Sequence, residues 1–214
     1  RLADVQNGSA PLPWTAERYG RPEEDGEDAE VIAVLKRHVV CFFSLFGQKL
    51  GLIGLHLKSN PSDPQANAQR TAEAAIVRRI VQREIMSRGY LPIILGDLND
   101  YDPDVEMADS TRKTETSVLR MLKDIDPHRD GDELVNVAAR IPRVADRFSS
   151  HWDYNENGAA DGDDVFTLID HILISKKLAK GLTRTFICHA NCLEISDHFP
   201  VVVDLDLSAI SSGQ

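Results

Sequence analysis

Apolar positions along the chain gather in short runs separated by polar, glycine- and proline-rich stretches. VIAVLKRHVVCFFSLF (31–46) and KLGLIGLHLKS (49–59) are β-favouring runs joined at Gly47-Gln48, a hairpin signal. Residues 63–88 predict a helix: Asp63-Pro64 opens it, Ala72, Ile76 and Ile80 recur at helical spacing beside Val77 and Val81, and Gly89 closes it. LPIILGD (91–97) predicts a buried strand and TETSVLRMLKDI (114–125) a second amphipathic helix. RFSSHWDY (147–154) and VFTLIDHILIS (165–175) predict strands flanking a polar loop, and FPVVVDLDL (199–207) a last strand. Residues 1–30, rich in Pro, Gly, Asp and Glu, predict a loop-like lead-in, and 208–214 a tail, leaving one domain over 31–207. Core strands apolar on both faces favour sheets covered by helices.

Composition narrows the function. The 214 residues carry 34 Asp+Glu against 24 Lys+Arg, a formal net charge of −10. A protein that grips polyanions by neutralising phosphates is usually basic, so tight nonspecific nucleic-acid binding is not expected. Acidity remains compatible with phosphate chemistry where bound cations meet the substrate. No run approaches the length of a membrane span. Cys188 and Cys192 could bridge across a loop, leaving Cys41 in the core, and no cysteine spacing suggests zinc. Oligomeric state is not legible.

Candidate chemistry sits at the ends of the apolar runs. His56 closes GLIGLH, Asp97 and Asn99 follow IILG, Asp170 stands in TLIDHILIS, and Asp197-His198 precede FPVVV. A strand tip places a polar head at a cleft on a rigid support. Any one of these could be an Asx turn or a satisfied core histidine; turn chemistry alone accounts poorly for all of them together.

HLKS, GDLND, IDHILIS and SDHFPV, in this order, resemble the motif series of the endonuclease/exonuclease/phosphatase superfamily, over roughly residues 31–207. The resemblance implies a four-layer α/β/β/α sandwich of two packed mixed sheets flanked by helices. It implies a divalent-metal-dependent phosphoesterase cleaving phosphodiester bonds, a nuclease first, with nucleic acid as the candidate partner. A lipid or inositol phosphate phosphoesterase, or a non-catalytic binding descendant, is the alternative. His198 would act on the attacking water or the phosphate, with Asp170 orienting it; Asp97 would activate water or hold Mg²⁺ or Mn²⁺ together with Asp197. Asn99 and His56 would donate hydrogen bonds to the phosphate, and Lys58 would add charge nearby. Similarity to secreted members favours a secreted or periplasmic location. Family members also carry an N-terminal strand with an Asn and then a metal-binding glutamate in a strand-end QE motif. Nothing before residue 31 matches, since Glu17, Glu23, Glu24, Glu27 and Glu30 stand in loop-like sequence, so either an N-terminally incomplete domain or a member that has lost a metal ligand is expected.

The polar loop DYNENGAADGDD (153–164) fits a calcium-loop pattern. Asp153, Asn155, Asn157, Asp161 and Asp164 would supply side-chain oxygens and Ala159 a carbonyl to a structural Ca²⁺. An ordinary polar hairpin turn explains the same residues, and Asp in place of Glu at the twelfth position weakens the match.

Overall fold

A computed structural model describes residues 2–7, 16–22, 28–36, 38–113, 116–158, 161–190 and 195–210. Its centre is a six-stranded sheet. In spatial order the strands are β1 (Leu2–Asn7), β4 (His38–Leu45), β5 (Gln48–His56), β6 (Leu91–Asp97), β10 (Asp170–Ser175) and β7 (Leu134–Asn136). β5 and β6 run parallel, joined by helix α1 (Pro64–Ile80), and the other pairs are antiparallel. Asp63 caps α1 by accepting the Gln65 amide (2.9 Å), and Pro64 sits in the first turn, where its missing N–H costs nothing. The helical path continues as a π and then a 3₁₀ turn to Arg88, and Gly89 (φ +75°) ends it.

Alternation along the strands fixes the layers. Ile53 and Leu55 of β5, with Ile94 of β6 and Leu173 of β10, point to one face. There they pack on Ile76, Val77 and Ile80 of α1 and on Leu119 and Leu122 of α2 (Val118–Lys123). Leu52, Leu95 and Ile172 point to the opposite face, against Val203 and Leu205 of β12 (Val201–Leu205). β12 pairs with β11 (Leu182–Ile187), and β8 (Ser150–Trp152) pairs with β9 (Val165–Thr167), both antiparallel. His198 bridges Ser150, and Phe199 and His151 donate backbone hydrogen bonds to Ser149 and Asp197 (both 2.8 Å). These links join the two pairs into a second sheet stacked on the first. The architecture is an α/β sandwich built on a mixed sheet.

Four expectations need correction. The lead-in is not loop: β1 pairs with β4, and β2 (Ala16–Pro22) and β3 (Asp28–Val34) form a hairpin. β1 draws its order from β4 and the hairpin packs against α1, partners distant in the chain that local composition does not reveal. The tail is partly core, since Ile210 is buried and Gln48 bonds the Ile210 carbonyl (3.0 Å). The run 31–46 is two strands rather than one. The hairpin turn falls at Phe46-Gly47, both at positive φ (48° and 76°). Cys192 and Ala159 lie outside the described residues.

Candidate active site

Three of the expected residues stand side by side. In the sheet register His56 pairs with Asp97, and Asp97 with Asp170. All three therefore sit on adjacent strands at one rim, and side-chain alternation turns all three toward the second sheet. The motif glycine before Asp97 has a physical reason. Gly96 has φ +127°, and a Cβ there would collide with the Leu55 carbonyl of the neighbouring strand.

The second sheet brings the fourth residue. His198 Nδ1 lies 2.8 Å from Asp170 Oδ2. A carboxylate accepts only, so Nδ1 is the donor and Nε2 is left for chemistry. Ser149 clamps the carboxylate from behind: its hydroxyl donates to Asp170 Oδ2 (2.8 Å) while its oxygen accepts the amides of Ile169 (3.1 Å) and Asp170 (2.9 Å). The hydroxyl thereby uses its donor and both lone pairs, and Asp170 has little freedom to turn. Ser149 carries no spacing signal in the sequence.

Asp97 is held as firmly. Its Oδ1 accepts the Asn99 amide N–H (2.9 Å), and its Oδ2 accepts Asn99 Nδ2 (2.9 Å) and lies 3.6 Å from His56 Nε2. Asn99 takes a left-handed backbone (φ +50°) and also donates Nδ2 to the Leu57 carbonyl (3.2 Å). Both amide protons are thus engaged within the protein. Asn99 is buried and orients Asp97. His56 is half-exposed, and Asp197 faces solvent with its backbone carbonyl holding His151.

Two buried networks support the rim. Arg70, with no exposed surface, donates to Asp100 Oδ2 (3.0 Å) and to the Lys58 carbonyl (2.8 Å). This ties the turn after His56 to the turn after Asp97. Lys58 is fixed through its backbone, its N–H donating to buried Glu73 (2.8 Å). Behind Asp170, His171 bridges the Asp100 carbonyl (2.9 Å) and Asn136 (3.0 Å), and burial pushes its pKa down, so it serves as a neutral strut. Beside His56 opens a cleft of ≈ 290 Å³ lined by Lys58, Ser59, Gln69 and Glu73. His56 itself lines this cleft and lies 3.6 Å from Asp97. Glu17, one of the N-terminal glutamates, is paired with Arg79 of α1.

Electrostatics separates the acid from the base. The hydrogen bond that His198 donates to Asp170 raises the His198 pKa to about 9, reinforced by the charges of Asp170, Asp97 and Asp197 against partial burial. Desolvation, then the adjacent Asp170 charge, pushes the Asp97 carboxyl above its usual value. In metal-free protein the His198 ring should titrate with a midpoint near 9 by nuclear magnetic resonance, and Asp170→Asn should return it toward 6.5. Because the folded-state pKa is raised, the stability this pair contributes is complete below pH 6.5 and fades as pH rises through about 9. A wild-type midpoint at or below 6.5 would contradict the pairing.

No protein-family model matches the sequence, and no curated protein matches it. Solved structures do. The 3′-5′ exonuclease NExo from Neisseria meningitidis superimposes with a TM-score of 0.58 at 20% identity, covering 96% of this chain and 72% of that one. An AP endonuclease from Archaeoglobus fulgidus gives a TM-score of 0.59 at 18% identity, with the same coverages of 96% and 72%. The chain shares the fold of these nucleases, as its resemblance to the endonuclease/exonuclease/phosphatase superfamily implies. A further structure, the 3′ phosphatase NExo from Neisseria bound to a product DNA hairpin, matches with a TM-score of 0.54 at 20% identity over 92% of this chain and 72% of that one. Among the described residues no helix is long and apolar enough to cross a membrane.

The superfamily fold raises the question of a metal. Among the described residues no three His, Cys, Asp or Glu side chains are gathered around one point. The donors at the rim nevertheless suit a hard divalent cation. Asp97 on the sheet rim and exposed Asp197 beside His198 are carboxylates, the hard oxygen donors that Mg²⁺ and Mn²⁺ prefer.

Proposed function

We propose that the protein is a divalent-metal-dependent phosphodiesterase acting as a nuclease. The observation that carries this reading is the in-register row His56, Asp97 and Asp170, with His198 docked on Asp170 from the second sheet. Such a row offers one group able to accept a proton, one able to donate it and a carboxylate that fixes the donor. Those are the parts required for attack of water on phosphorus.

Asp97 accepts the proton of the attacking water as the new O–P bond forms; its raised pKa suits it to that task better than an ordinary carboxylate. His198, an imidazolium at neutral pH, presents Nε2–H to a phosphoryl oxygen or to the departing oxygen as the old P–O bond breaks. His56 adds a hydrogen bond to the phosphate from its half-exposed position. Asn99 and Ser149 hold the two carboxylates still. Mg²⁺ or Mn²⁺ held by Asp97 and Asp197 would supply the positive charge that the acidic surface lacks. Nucleic acid as substrate rests on the neighbouring fold that was solved with a DNA hairpin product.

The test is a hydrolysis panel on DNA, RNA, sphingomyelin and bis-p-nitrophenyl phosphate with Mg²⁺, Mn²⁺ or Ca²⁺. Cleavage of a nucleic acid that stops in EDTA and returns with Mg²⁺ or Mn²⁺ is expected. Full activity in EDTA would remove the metal from the reaction. Preference for sphingomyelin would replace the nuclease reading with a lipid phosphodiesterase.

A further inference from the structure

We propose that the cleft beside His56 is the subsite for the nucleotide next to the scissile phosphate, with Lys36 and Lys58 holding that nucleotide's own phosphate. The proposal rests on the phosphodiesterase reading above and extends it to the form of the substrate, a single-stranded polynucleotide gripped at a phosphate that is not cut.

The cleft measures ≈ 290 Å³, close to the lower bound of about 300 Å³ for small-ligand pockets, which suits one nucleotide. It joins the catalytic row at His56, which lines it and stands 3.6 Å from Asp97. The row crosses the sheet from Asp170 on β10 through Asp97 on β6 to His56 on β5. A strand of nucleic acid laid along that row passes His56 and enters the cleft.

The charge available in the cleft is positive. Lys36, just past β3, and Lys58, two residues after His56, both line it and are exposed. Among the described residues neither ammonium has an ion pair or a hydrogen bond. Glu73 is the one acid among the lining residues, and it is 6% exposed with both oxygens engaged. One accepts the Lys58 amide (2.8 Å) and the other Gln69 Nε2 (2.9 Å). Arg70 holds the Lys58 carbonyl (2.8 Å), so the backbone of Lys58 is fixed on both sides while its ammonium stays available. In a protein of net charge −10, two unpaired lysines in a recess beside the catalytic row draw an anion to this place rather than to the surface at large.

Part of the lining is apolar, which separates a nucleotide from a bare phosphate. Ile32 and Val34 turn outward along β3 while Ala33 turns inward, leaving Ile32 60% and Val34 39% exposed. Inorganic phosphate would use the lysines alone. A nucleotide uses them and covers Ile32 and Val34 with its sugar and base.

Fluorescence anisotropy of a fluorescein-labelled oligothymidylate on the full chain, at low salt in EDTA so that nothing is cut, tests the subsite. Lys36→Gln and Lys58→Gln should each weaken binding about fivefold, and the double variant about tenfold or more. The slope of log Kd against log salt should fall by about 1.4 in the double variant, because each phosphate contact on a single strand contributes about 0.7. Ile32→Ser should weaken binding about threefold and leave that slope in place. Lys180→Gln, beyond the far end of β10, should change neither quantity and so separates a local contact from a change in net charge. No binding by the wild type, equal affinity of the wild type and the double lysine variant, an unchanged salt slope, or an equal loss in Lys180→Gln would overturn the proposal. Displacement of the labelled strand by phosphatidylglycerol vesicles as readily as by unlabelled oligothymidylate would overturn it in favour of a lipid head group. Binding is read without hydrolysis. Lysine-dependent binding with no cleavage under any metal would therefore remove the nuclease reading and keep the subsite, and cleavage without lysine dependence would do the reverse.

Discussion

His198→Ala is expected to lower phosphodiester hydrolysis by about 10²–10⁴-fold, the usual loss when a positioned acid–base group is removed. The ring combines three properties that a surface histidine lacks. Asp170 fixes its tautomer at 2.8 Å, its pKa is raised to about 9, and it stands at the rim where the two sheets meet. Fold should be retained, because the ring is about one-third exposed and the bridge to Ser150 is made by backbone atoms. Turnover of bis-p-nitrophenyl phosphate at matched metal concentration, with a thermal melt alongside, measures both. Wild-type turnover in a folded His198→Ala protein would take this residue out of the reaction.

Asp97→Asn should cost a similar factor, about 10²–10⁴, for a different reason. The substitution keeps the shape and removes the charge at the centre of the row, between His56 and Asp170. It also turns one acceptor oxygen into an NH₂ group facing Asn99, which donates to both carboxylate oxygens. The Mg²⁺ concentration needed for half-maximal activity should rise with the loss of turnover. Stability should move the other way. A carboxyl whose pKa is raised by folding is one whose ionised form the fold disfavours, so at neutral pH the neutral amide should melt no lower than wild type. Unchanged turnover together with an unchanged Mg²⁺ requirement would make Asp97 a bystander.

The sequence alone determined the strands with strong local signatures and the positions at which polar residues interrupt them. IILGD, TLIDHILIS and SDHFPVVV are apolar runs that end or begin on an acid, and the helix over 63–88 shows its cap and its stop. Such features depend on neighbours in the chain, and neighbours are what a sequence displays. It also put His56, Asp97, Asp170 and His198 on a common footing as strand-end residues. Their alignment was not legible: the row exists because β5, β6 and β10 pair in one register, and a shift of one residue would turn Asp97 away from the second sheet. The roles of Ser149, Asn99 and His151 were equally hidden, since each depends on a partner brought close by folding. Asn99 spends its amide on Asp97 and Leu57 because a left-handed turn aims it inward, and nothing in GDLND states which way that side chain points. The first strands show the same limit. Residues 2–7 carry no strong pattern of their own and become a strand only because β4 offers an edge to pair with. Local propensity and periodicity are carried by contiguous residues; register, burial and the partner of each polar group belong to the assembled chain.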